Sequence, residues 1–183
     1  KTDGTAESFV SMSGCAPDLL LLATHGFYYT PEEALHYEYL KGHRDAMFLS
    51  GLVLSGGNAA WLGRELPKGS LGGILTANDI SMLDLNGLEL VVLSACKSGQ
   101  GKATSEGLYG LQRAFKKAGA QTIVMTLWNV DDNVARDFMI KFYEELVDKK
   151  NKWNKRTAFE RAKNYIRKLY PEVFYWAPFV MLD

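Results

Sequence analysis

Asp18-Leu-Leu-Leu-Leu-Ala-Thr24 is an apolar run without polar alternation, the pattern of a strand buried on both faces of a parallel sheet. Leu88-Glu-Leu-Val-Val-Leu-Ser-Ala95 repeats it after the turn signal Asn86-Gly87, and Gln121-Thr-Ile-Val-Met-Thr-Leu127 repeats it after Gly119. Apolar residues at helical spacing follow. Leu108, Leu111, Phe115 and Ala118 share one face, as do Val134, Phe138, Phe142 and Leu146, and then Ala158, Ala162, Ile166 and Leu169 before Pro171. Ala177-Pro-Phe-Val-Met-Leu182 reads as a further strand, and a short helical turn is expected around Glu7 to Met12. Together these predict an α/β fold: a three-layer sandwich with a mostly parallel sheet and helices on both faces.

A chain of 183 residues, 47% hydrophobic, is long and apolar enough to bury one core, so a single domain over 1–183 is expected. Lys plus Arg and Asp plus Glu number 21 each, which leaves no net field to draw the molecule to nucleic acid or an anionic membrane. The expected partner is a protein or a small molecule. The longest apolar stretches fall far short of the roughly 18 residues a membrane span needs. Cys15 and Cys96 are the only cysteines; a pair so far apart suggests neither a disulfide framework nor a metal knuckle, and a reducing cytoplasmic setting fits. The first residue is Lys1 rather than Met, so the chain reads as a piece of a longer protein.

The region Phe27 to Ala77 has another texture, aromatic and charged through His36-Tyr-Glu-Tyr39, then glycine-punctuated through Phe48-Leu-Ser-Gly-Leu-Val-Leu-Ser-Gly-Gly57. It reads as a mobile loop followed by a hairpin, a flap near the site.

His25 follows the first buried run and Cys96 the second; the carboxyl ends of parallel strands are where open α/β sheets place their crevices. An imidazole facing a thiol supplies the base that a cysteine nucleophile needs at neutral pH. Gly26 has no Cβ to keep a scissile carbonyl away, and its N–H with that of Cys96 could hold a tetrahedral oxyanion. Taken singly, a strand-end cysteine reads as a small buried hydrophobe and a lone histidine as a structural residue; Thr-His-Gly and Ser-Ala-Cys at matching ends of two runs read together as a site. All three histidines, His25, His36 and His43, precede Cys96, the reverse of the papain order. Class I glutamine amidotransferases also place His after Cys, and Ser94 and Ser98 stand where their Gly-x-Cys-x-Gly elbow needs glycine. His before Cys on parallel strands is the caspase-like order.

Asp18 to Gly26, Phe48 to Gly56, Gly73-Ile-Leu-Thr-Ala77, Leu90-Val-Val-Leu-Ser-Ala-Cys96, Glu106 to Phe115 and Tyr175-Trp-Ala-Pro-Phe179 resemble, in this order, the blocks of bacterial CHAT domains, over nearly the whole chain. That family is similar to caspases, separases and gingipains. The resemblance implies a caspase-like cysteine endopeptidase with His25 and Cys96 as catalytic dyad, no cofactor and no metal. It also implies N-terminal tetratricopeptide repeats in the full-length protein, and a strand and helix ahead of Lys1. Many members carry an acidic residue after the cysteine, where this chain has Lys97, a charge that would favour a thiolate or simply an exposed loop residue. Leu127-Trp-Asn-Val-Asp-Asp132 resembles the separase segment that holds an acidic specificity residue. By that likeness Asp132, or next Asp131, would bind a basic P1 side chain; capping of the following helix is the competing use.

His36 and His43 are expected to be solvated, Cys15 inert, and the Lys149–Lys155 run a surface loop. Two other readings stand beside the protease: a latent or inactive caspase-like interaction or signalling module, and a cysteine amidohydrolase acting on small amides.

Overall fold

A computed structural model describes residues 4–37, 40–65, 70–94 and 105–183, with backbone alone over 105–109. The chain divides into two compact units, Lys1–Ile123 and Val124–Asp183. Along the first run α1 (Ala6–Val10), β1 (Leu19–Leu22), β2 (His25–Tyr28), α2 (Pro31–Ala34), α3 (Ala46–Leu49), β3 (Ser50–Val53), α4 (Gly57–Trp61), β4 (Ile74–Thr76), α5 (Ala77–Ser81), β5 (Leu90–Leu93), α6 (Ser105–Ala118) and the opening of β6 (Thr122–Thr126). The second continues with α7 (Asp132–Val147), α8 (Lys155–Leu169), α9 (Val173–Trp176) and β7 (Phe179–Leu182). The fold is mixed α/β.

In the first unit β1 and β5 pair in parallel, Leu19 opposite Leu90 and Leu22 opposite Leu93. All four β5 residues are buried, as an unbroken Leu-Val-Val-Leu run demands. β6 starts beside β5, with Gln121 N–H donating to Leu88 O at 2.9 Å and Thr122 N–H to Glu89 O at 3.2 Å. Gly119 makes the turn into it, at φ 112°, a left-handed conformation that ends α6 at no steric cost to glycine. A Cβ there would lie 2.6 Å from Asn86 Oδ1.

The expectation of burial on both faces fails for β1, where Leu19 and Leu20 are half-buried and Leu21 is 46% exposed. β1 pairs with β5 on one side and has no second strand beside it among the described residues. Its apolar composition was the only reason to expect two-sided cover.

The region expected as a mobile loop followed by a hairpin holds antiparallel strands, as the hairpin requires, but they form a three-stranded second sheet with short helices where the loop was expected. β2, β3 and β4 are antiparallel in that order, with His25 opposite Val53 and Leu52 opposite Leu75. On one face Phe27 and Ile74 join Ala34, Leu40 and Leu49 in a core that Tyr29, Tyr37, Val53 and Trp61 cover. On the other, Gly110 brings α6 against Ser50, whose hydroxyl donates to Ala46 O at 2.6 Å. These elements are three to five residues each, too short for periodicity to show. One signal was legible: Thr30-Pro-Glu-Glu33 closes a capping box, Thr30 N–H to Glu33 Oε2 at 2.9 Å and Glu33 N–H to Thr30 Oγ1 at 3.3 Å.

In the second unit α7 buries Val134, Phe138, Phe142 and Leu146, the four residues its spacing predicts. Phe138 stacks on Phe179 of β7, centroids 3.9 Å apart, and meets Phe159 of α8 edge-on at 5.7 Å. α8 buries Ala158, Phe159, Ala162 and Ile166; Leu169, expected on that face, is 49% exposed because the helix ends there. Leu127 N–H donates to Pro178 O at 3.0 Å, leading into β7, which neighbours β6. The lysine-rich turn before α8 is exposed at its lysines, with Asn151 buried and donating through Nδ2 to Asn154 O.

Candidate active site

The pairing of β1 with β5 sets two strand ends side by side. Leu22 and Leu93 are partners, and the N–H of Ser94 donates to Leu22 O at 2.9 Å. His25 comes three residues after Leu22 and Cys96 three residues after Leu93. Cys96 and Lys97 lie outside the described residues. His25 does not end the first strand as expected. The chain bends at Ala23-Thr24, the Thr24 hydroxyl donates to Val53 O, and His25 opens β2.

Strand alternation then sets what faces what. His25 is exposed and shares a sheet face with Phe27, its neighbour two residues on, and with Val53 opposite. No described residue hydrogen-bonds its ring. Gly26 is buried, and the ladder fixes the direction of its amide. Tyr29 N–H donates to Leu49 O at 2.9 Å, so with this register the residues hydrogen-bonded to β3 are Tyr29, Phe27 and His25. The N–H of Gly26 points the other way, out of the β2 edge of the sheet.

Asp131 is the N-cap of α7, accepting from Asn133 N–H at 2.9 Å, and Asp132 is exposed in the first turn. The capping use of this segment is thus filled by Asp131, and Asp132 keeps a free carboxylate position next to it. His36 is exposed; His43 is exposed too, its ring stacked on Phe48 with centroids 4.5 Å apart. His43, Phe48, Thr76 and Asp79 line an open cavity of about 230 Å³, in which Thr76 and Asp79 are engaged in the capping box of α5. Cys15 is an exposed free thiol. Among the described residues no group of His, Cys, Asp and Glu is gathered to hold a metal ion, and no helix is long and apolar enough to cross a membrane.

An aromatic group that helical or strand periodicity in the sequence does not by itself mark lies on the His25 face. Phe27 and Trp61 meet at 5.1 Å between centroids, Tyr37 and Trp61 at 5.0 Å, and Tyr29 and Tyr37 at 4.6 Å. Burial and a hydrogen bond with Tyr37 push the Tyr29 hydroxyl far above the ordinary phenol range, so it stays neutral. The signal was present as His25, Phe27 and Tyr29 at alternate positions, once β2 is recognised as a strand.

The CHAT domain family's profile matches residues 1–183 of this chain. Two curated relatives are similar over part of it. Tetratricopeptide repeat protein 28 of Mus musculus is 40% identical over 75 residues, 41% of this chain and 3% of that protein. The Homo sapiens protein of the same name is 37% identical over 75 residues, with the same shares. The matched segment therefore spans a small fraction of both relatives.

Proposed function

This chain belongs to the CHAT domain family, and from that premise we propose that it is a cysteine endopeptidase working through Cys96 and His25. In this reading His25 takes the proton of the Cys96 thiol, and the thiolate attacks the scissile carbonyl. The tetrahedral oxyanion is held by the N–H groups of Gly26 and Cys96. As it collapses, the C–N bond breaks, the imidazolium gives its proton to the leaving amine, and a thioester remains. Water, deprotonated by His25, hydrolyses the thioester and regenerates the thiol. No cofactor enters.

The observation that carries the reading is the pairing of Leu22 with Leu93. His25 and Cys96 each follow this pair by three residues in the sequence, which supports a reading in which they act at the carboxyl ends of the same two strands. The outward amide of Gly26 supports its oxyanion role. Asp132, exposed beside the capping Asp131, is the residue assigned to a basic P1 side chain, and Asp131 comes second because its carboxylate is already engaged. The reading extends to a three-layer caspase-like sandwich, a cytoplasmic reducing setting, a protein or peptide substrate, and tetratricopeptide repeats in the full-length protein, in line with the names of the relatives.

A second reading is a latent caspase-like signalling module whose imidazole is oriented only once a partner binds. Cleavage of basic-P1 peptides tests both. Cys96→Ala should lower kcat/KM on the order of 10³-fold or more, and Asp132→Asn should cut the preference for Arg or Lys at P1 about 10- to 100-fold. Undiminished turnover by Cys96→Ala would overturn the peptidase, and an unchanged P1 profile in Asp132→Asn would remove the basic pocket. No cleavage by the wild-type chain, restored by a partner, would establish the latent form.

A further inference from the structure

We propose that the aromatic group of Trp61, Tyr37, Tyr29 and Phe27 is a substrate subsite that takes a large apolar side chain within two residues of the scissile bond. The inference rests on the peptidase reading and adds a specificity that the reading does not contain.

Three observations lead to it. The first is position. His25 and Phe27 are alternate residues of β2 and so lie on one sheet face, about 6.6 Å apart along the strand. An extended peptide advances about the same distance in two residues. A substrate whose reacting bond is at His25 therefore sets a side chain one or two residues away over the rings.

The second is exposure. Phe27 is buried, whereas Tyr29, Tyr37 and Trp61 are only partly covered. The residues next to the cluster in sequence, Leu35 after α2 and Leu62 after α4, are 60% and 63% exposed. Part of the aromatic surface over this core is therefore open to solvent.

The third is chemistry. The rings are tilted or edge-on to one another, between 4.6 and 6.0 Å apart, rather than in a flat stack. The Tyr29 hydroxyl is bonded with Tyr37, and Glu33 is held by the capping box of α2. The four rings themselves carry no formal charge, so shape and apolar area decide what they bind.

Peptide-library profiling with a fixed basic P1 and varied flanking positions tests this. The wild-type chain should prefer Phe, Leu or Trp over Ala by about tenfold or more at one position within two residues of the bond. Trp61→Ala should bring that ratio near one. Should Trp61→Ala melt early, Trp61→Leu, which keeps an apolar side chain, decides: the preference for Phe and Trp should fall about tenfold relative to Leu. A flat wild-type profile at these positions, or an unaltered profile in a folded Trp61 variant, would overturn the subsite and leave the peptidase standing. Cleavage that survives Cys96→Ala, or absence of cleavage by the wild-type chain that no partner restores, would overturn both.

Discussion

Gly51→Ala is predicted to destabilise the first unit by overpacking at the strand that supports His25. Gly51 lies opposite Phe27 in the β2–β3 ladder. A Cβ at this position would sit 2.7 and 2.8 Å from Cζ and Cε1 of the Phe27 ring and would also collide with the Leu75 carbonyl oxygen. Neither can give way freely. The Leu75 oxygen is backbone of β4, and the ring is held between Trp61 and Tyr29, with centroids at 5.1 and 6.0 Å. Forcing extra volume into a packed site costs about 1–3 kcal/mol, and two rigid neighbours put this case toward the upper end. With a urea slope of about 2 kcal/mol/M, the midpoint should fall by about 1 M. Phe27→Leu removes the ring atoms that collide, so the double variant Gly51→Ala/Phe27→Leu should be more stable than the sum of the single losses by about 1 kcal/mol. Urea unfolding followed by tryptophan fluorescence reads all three, since Trp61 borders the site. A Gly51→Ala loss below about 0.5 kcal/mol, or strict additivity in the double variant, would refute the packing argument.

Phe138→Ala in the second unit should cost about 3–5 kcal/mol, because the ring is fully buried against Phe142, Phe159 and Phe179; a melting temperature near wild type would contradict it. Glu145 accepts from Lys141 at 2.7 Å and from Arg161 at 2.9 Å, which holds its carboxyl below the ordinary value of 4.5. A lowered folded pKa contributes stability that is present above pH 4.5 and is lost as pH falls through the folded value. Glu145→Gln should therefore cost up to about 1 kcal/mol at neutral pH and low salt, with the difference from wild type closing as the pH drops below 4; a cost that grew in acid would contradict the sign.

How far the sequence could be read followed from element length and from what each residue was asked to do. α7 was legible to the residue because sixteen positions give a helical face several chances to repeat, and β5 because four apolar residues in a row leave no solvent face. β1 looked identical in sequence, yet Leu21 is exposed, since an apolar run cannot report which neighbours are present. The second sheet was legible only as a hairpin, and its first strand was missed for a different reason. β2 has four residues and follows β1 with only Ala23 and Thr24 between them, so His25 was read as the end of one strand when it is the start of another. That shift matters for the site: it gives His25 the companions Phe27 and Tyr29 and turns the Gly26 amide outward. Asp131 illustrates a choice that sequence leaves open, because a carboxylate before a helix serves capping and ligand binding alike, and here its oxygen is spent on Asn133.

The central claim, that His25 serves Cys96, is tested most directly by alkylation. Iodoacetamide at pH 6, with the two cysteines followed separately by peptide mass spectrometry, reports how much thiolate each carries. The account predicts that Cys96 reacts at least about tenfold faster than exposed Cys15, and that His25→Ala abolishes the difference. Equal reactivity of the two thiols in the wild-type chain, or a fast Cys96 that is indifferent to His25→Ala, would contradict it.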